Sequence, residues 1–172
     1  MGYEVLYHPA KVGYFNGSGF FRHEWREANQ LHRSNGPAVE RFFDDGSYAF
    51  EYFHHGIRHR LDGPALQYKD GGQIWYINGE TSRLDDGPVW TKGDGTQIWM
   101  DKKSNLHRVD GPAVIYPNGS QYWYQNGKLH REDGPAITDV HGTQEWWINN
   151  NLIDVKFHRK TYENVHWQSE GF

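Results

Sequence analysis

The stretch Leu106-His107-Arg108-Val109-Asp110-Gly111-Pro112-Ala113-Val114-Ile115-Tyr116-Pro117-Asn118-Gly119-Ser120-Gln121-Tyr122-Trp123-Tyr124-Gln125-Asn126-Gly127-Lys128 decides the fold, because the chain starts it again at Leu129-His130-Arg131. Gly-Pro pairs begin at Gly36, Gly63, Gly87, Gly111 and Gly134, at spacings of 27, 24, 24 and 23 residues, and intervals of that size define a structural repeat. In the quoted unit, Ala113 to Tyr116 and Gln121 to Gln125 are apolar-rich runs separated by Asn118-Gly119. Asn-Gly and Asp-Gly favour the positive φ angles of tight turns, so one unit reads as one β-hairpin. A further Asn-Gly, Asn126-Gly127 here and Asn78-Gly79 earlier, ends the second strand and leads into the His-Arg-x-Asp-Gly-Pro segment. Proline has no donor for a strand ladder, so it starts a strand or occupies a loop.

Outward from this unit, a Gly or Pro interrupts residues 31–151 roughly every eight to ten residues, which leaves no room for a helix of any length. The expected fold is all-β: about five β-hairpin repeats of 23–27 residues in a twisted antiparallel meander, with atypical caps. The chain reads as a single repeat domain over residues 1–172. Residues 1–30, with Asn16-Gly17-Ser18-Gly19-Phe20-Phe21, form a cap or partial repeat, residues 31–151 hold the repeats, and residues 152–172 cap the far end. In the last segment Phe157, Tyr162, Val165 and Trp167 are spaced too unevenly to choose between strand and short helix.

Eight Trp and eleven Tyr, with Gly and Pro at regular places, exclude a disordered tract. The net charge of −4 comes from 22 acidic and 18 basic residues with interspersed signs, which disfavours duplex nucleic acid as a partner. The chain has no Cys, hence neither a disulfide framework nor a thiolate zinc site. No basic-then-apolar leader and no apolar run of about 18 residues is present, so the expectation is an unsecreted, cytoplasmic protein without a membrane role.

The punctuation Leu-His-Arg-x-Asp-Gly-Pro-Ala followed by Asn-Gly-x-Gln-x-Trp-x-x-Asn-Gly resembles the MORN repeat variants over residues 31–150. That resemblance implies short hairpin repeats used as scaffolds for proteins or membranes, and a phage or large-virus source. Such a source implies an inhibitor of a host factor, or a sponge for a host signalling molecule. The familiar MORN unit opens with Tyr-x-Gly and is richer in glycine, a departure that weighs against a membrane-lipid role.

Trp75, Trp99, Trp123 and Trp146 share one place in successive units, with Phe50 in the corresponding place earlier, and are expected to stack along one sheet face as inter-repeat packing or as a contact ladder. Tyr76, Met100, Tyr124 and Trp147 follow them, and alternation puts these on the opposite face. A single sheet buries only one face, so an exposed aromatic row containing Tyr76, Trp90, Met100, Tyr124 and Trp147 is the candidate face for a protein partner.

The pairs His32-Arg33, His59-Arg60, His107-Arg108 and His130-Arg131, with Arg83 alone, line one edge. They offer either an anion site, with Arg gripping phosphate or carboxylate and His donating, or scaffold pairs with Asp62, Asp86, Asp110 and Asp133. The first option makes the chain a sponge for a small nucleotide-type ligand. His54-His55 with His59 lacks metal-ligand spacing and reads as part of the longer first interval; no metal or other cofactor is expected. There is no nucleophile elbow, phosphate-cradling loop or His-Glu-x-x-His, and Asp85-Asp86 beside Arg83 reads as a turn, so no catalytic residue is assigned. An enzyme on a repeat scaffold is the third reading. Open sheet edges allow a homodimer.

Overall fold

Short β-prone runs between turn residues can only be stable if each pairs with the next, and the chain meets this demand by pairing strands in sequence order. The computed structural model describes residues 10–15 and 20–157. It contains one 14-stranded sheet, antiparallel throughout, whose path runs from Ala10–Phe15 and Phe20–Glu27 through Val39–Phe43, Tyr48–Glu51, Leu66–Tyr68 and Gln73–Ile74. It continues through Trp90–Thr91, Gln97–Ile98, Val114–Ile115, Gln121–Tyr122 and Ile137–Thr138 to Gln144–Ile148 and Asn151–Lys156. The all-β meander expected from the repeats is therefore present. No described helix is long and apolar enough to cross a membrane.

Each unit differs from the expected single hairpin because its two turn dipeptides have different chemistry. In the sheet turns Gly46, Gly71, Gly95, Gly119 and Gly142 alone take positive φ, while Asp45, Asp70, Asp94, Asn118 or Asp139 accepts the amide two residues on. At the second dipeptide both residues are left-handed, Asn78 at 51° with Gly79 at 82° and Asn126 at 51° with Gly127 at 77°. Two consecutive positive φ angles make a turn that folds the chain straight back. The result is an extra two-stranded ribbon in the unit: Phe53–His54 with Ile57–Arg58, Tyr76–Ile77 with Glu80–Thr81, and Tyr124–Gln125 with Lys128–Leu129. A bridge between Met100 and Leu106 occupies that place in the unit between the last two.

Successive ribbons are hydrogen-bonded to each other, as in Arg60 N–H to Tyr76 O at 3.0 Å and Gly79 N–H to Arg58 O at 2.8 Å. The molecule is thus a long sheet accompanied by a row of mutually hydrogen-bonded ribbons. Register places Val39, Glu51, Leu66, Ile74, Trp90, Ile98, Val114, Tyr122 and Ile137 in one cross-strand row on one face. The opposite face carries Gln67, Gln73, Thr91, Gln97, Ile115, Gln121 and Thr138. Polar residues on one face and aliphatics on the other are the signature of a sheet buried on one side. Val39, Leu66, Ile98 and Val114 are buried, as is every residue after the Gly-Pro pairs: Ala38, Ala65, Val89, Ala113 and Ala136.

One sequence expectation changes. The longer first interval arises in the hairpin of Val39–Phe43 and Tyr48–Glu51, whose strands are longer than their later counterparts, and not at His54-His55. In the N-terminal segment Phe20–Glu27 pairs on both sides, and its Trp25 donates its amide to Ala38 O as Trp75 does to Val89 O. Of the C-terminal segment, Asn151–Lys156 closes the sheet, with a bulge between Trp146 and Trp147 on its partner. Tyr162, Val165 and Trp167 lie outside the described residues.

Candidate binding surface

The recurring residues lock into one local motif. In each unit an arginine lies flat on an aromatic ring: Arg33 on Trp25, Arg60 on Tyr52, Arg83 on Trp75, Arg108 on Trp99 and Arg131 on Trp123, each 3.8–4.1 Å from the ring centre. Tyr52, and not Phe50, is therefore the early counterpart of the Trp row. Lys156 lies 4.6 Å over Trp146 at the last position. The other side of each guanidinium faces the Gly-Pro glycine; a Cβ on Gly87 would stand 2.6 Å from Arg83 Cζ, and one on Gly111 2.8 Å from Arg108 Cζ. The glycine is thus required by close approach. Each Arg also donates Nη1–H to a proline carbonyl, that of Pro37, Pro64, Pro88, Pro112 or Pro135.

These arginines form no free basic stripe. Arg33 pairs with Glu40, Arg60 with Asp62, Arg83 with Asp85 and Arg131 with Asp133. Asp85, and not Asp86, takes the pairing role in the third unit; the carbonyl of Asp86 instead accepts the Trp99 indole N–H at 2.8 Å. Among the described residues Arg108 has no carboxylate in ion-pair range. The hydrogen bond and charge of Arg60, Arg83 and Arg131 hold the carboxyls of Asp62, Asp85 and Asp133 below the usual carboxylate range. Such pairing spends the cations on the scaffold, which does not favour the anionic-ligand reading.

The histidines act likewise as acceptors. His59 Nδ1 accepts the Asn78 amide at 3.1 Å, His107 Nδ1 that of Asn126 at 3.1 Å, and His130 Nδ1 that of Asn149 at 3.3 Å. His32 Nδ1 accepts the His55 amide at 3.2 Å. Each imidazole therefore clamps the ribbon turn that follows it in the chain, a role that the repetition alone does not reveal.

None of the five residues proposed as a partner face is exposed. Trp90 sits in the inward row, Tyr76, Met100 and Tyr124 lie at the ribbon positions, Trp147 is in the sheet strand Gln144–Ile148, and all five are half-buried. Arg58 stands 5.7 Å from the Tyr76 ring centre and pairs with buried Glu51, which also pairs with Arg41. Burial, with Tyr116 and Tyr122 nearby, raises the Tyr124 phenol. Trp147 donates its indole N–H to Glu145 at 2.7 Å.

The exposed apolar surface is elsewhere. The variable residue x of His-Arg-x-Asp-Gly-Pro is Leu61, Leu84 and Val109 in three successive loops, 54%, 74% and 64% exposed. Ser34 and Glu132 occupy the same place at either end. Grooves of about 570, 540 and 320 Å³ separate neighbouring loops, floored by Tyr52, Trp99 and Trp123. The central groove sets four carboxylates, Asp85, Asp86, Asp101 and Asp110, against three cations, Arg83, Lys102 and Arg108. Sequence reading missed Leu61, Leu84 and Val109, although aliphatic residues inside a polar turn are a visible signal. No protein-family model matches this chain, and no curated protein is significantly similar to it.

Proposed function

We propose that this chain is a non-enzymatic repeat scaffold that binds a protein partner along its loop edge, through Leu61, Leu84 and Val109. The observation that carries the reading is the exposure of these three aliphatics at one repeat position, where the Arg, His, Gly and Ala around them already serve the scaffold. Two strands per unit at about 4.8 Å each put neighbouring loops about 10 Å apart, so the row is a comb about 20 Å long. Leu61 and Val109 line grooves that suit insertion of side chains from a partner, Leu84 projects from the loop between them, and Asp86 and Asp110, which pair with no cation among the described residues, favour a basic rim on it. The likeness to MORN variants adds that such a partner is a host protein if the source is a phage. The test is purification of the full chain from its native setting, alongside a Leu61→Asp, Leu84→Asp, Val109→Asp variant. A stoichiometric polypeptide held by the wild type and lost by the variant supports the reading; one held equally by both, or none at all, refutes it.

A further inference from the structure

The first ribbon departs from its counterparts at two adjacent positions. Where later units carry Ile77-Asn78, Gln125-Asn126 and Ile148-Asn149, this one carries His54-His55. His55 adopts φ 46°, a left-handed conformation that Asn tolerates better than His, so the substitution works against the turn. Both imidazoles converge on His32. Its ring lies 4.3 Å from that of His55, nearly parallel, and 4.9 Å from that of His54, while the His54 and His55 rings are 4.4 Å apart. One ligand atom from each of the three lies within 4.8 Å of the others. Glu27 Oε2 stands 3.3 Å from His32 Nε2, beside the trio but outside its mutual 4.8 Å range.

We propose that His32, His54, His55 and Glu27 form a binding site for a zinc-class divalent cation. Three imidazoles and a carboxylate are a donor set that Zn²⁺ accepts in tetrahedral geometry, with bonds of about 2.0–2.2 Å. Only modest closure is needed, because His32 is buried and fixed whereas His54 and His55 are exposed and lie at a turn. In the free protein His32 Nδ1 accepts the His55 amide, which leaves the proton on Nε2. Metal at Nε2 moves that proton to Nδ1 and exchanges this one inter-unit clamp for the metal bonds.

The experiment is titration of the tag-free full chain with Zn²⁺ alone, followed by calorimetry and native mass spectrometry. The expected result is one saturable Zn²⁺ per chain in the wild type and at least a 100-fold loss of affinity in His54→Ile with His55→Asn. That variant installs the residues of the Ile77-Asn78 unit, so it is expected to fold; His54→Gln, copying Gln125, is the second variant and is expected to weaken binding as well. No saturable binding to the wild type, or undiminished binding to the folded variants, overturns the proposal.

Discussion

Replacing Gly111 by Ala tests whether the arginine stack explains the Gly-Pro punctuation. The new Cβ would stand 2.8 Å from Arg108 Cζ, so the guanidinium must leave both the Trp99 ring, now 4.0 Å away, and the Pro112 carbonyl, now at 3.4 Å. A half-exposed cation–π contact contributes about 0.5–1 kcal/mol and a charged hydrogen bond of this length no more than about 1.5 kcal/mol. Against them stands a gain of about 0.4–1 kcal/mol, because Ala restricts the unfolded chain. The net loss is about 1 kcal/mol, which lowers Tm by about 2–4 °C for a chain of this size. In an Arg108→Ala background the same change removes no stack, and is expected to be neutral or stabilising. The assay is a thermal double-mutant cycle of the four proteins. An equal loss in both backgrounds refutes the reasoning and returns Gly111 to a backbone role.

Two further perturbations follow from the ion pairs. Glu51 is 1% exposed and pairs with Arg41 and Arg58 at 2.5 Å each, so Glu51→Ala strands two cations and is expected to lower stability by about 2–3 kcal/mol, less than for fully buried partners because both arginines reach solvent. Glu51→Leu, which extends the row of Val39 and Leu66, is expected to cost less; urea unfolding of the pair decides, and equal losses sink the argument. Asp62, Asp85 and Asp133 have carboxyls lowered by their arginines, so the stability they add is present above the unfolded pKa near 4 and is lost as pH falls below it. Tm is expected to fall more steeply with acid below pH 4 in the wild type than in a triple Asp→Asn variant, and identical slopes contradict the assignment.

The meander was legible because Gly-Pro and Asn-Gly recur at nearly constant intervals, and a strand between such turns has no other way to bury its apolar side. The ribbon row was legible in principle but not separated from the sheet turns. Asn118-Gly119 and Asn126-Gly127 are the same dipeptide, yet Asn118 keeps an ordinary backbone and accepts the Ser120 amide, whereas Asn126 is left-handed. Composition cannot distinguish those uses. The arginine pairs were readable as scaffold, though register shifts by two residues at the first unit, from Phe50 to Tyr52, because the first hairpin is longer. The histidine cluster was hidden because His54-His55 shows no metal-ligand spacing in the chain; His55, at positive φ, stacks its ring on that of His32, which is 23 residues away.

A residue that recurs in every unit serves the array, so what a unit can bind is written in its departures, and a departure can be transplanted. The fourth unit already holds the other half of the proposed zinc site. His107 Nδ1 accepts the Asn126 amide as His32 Nδ1 accepts that of His55, and the charge of Asp101 lies near His107 as that of Glu27 lies near His32. Gln125→His with Asn126→His places two imidazoles on the following turn and completes the set. The expected outcome is two Zn²⁺ per chain by native mass spectrometry, against one for the wild type, with a small fall in Tm because His replaces Asn at φ 51°. A graft that folds and still binds only one ion shows that repeat position alone does not create the site, and that some feature confined to the first ribbon is required.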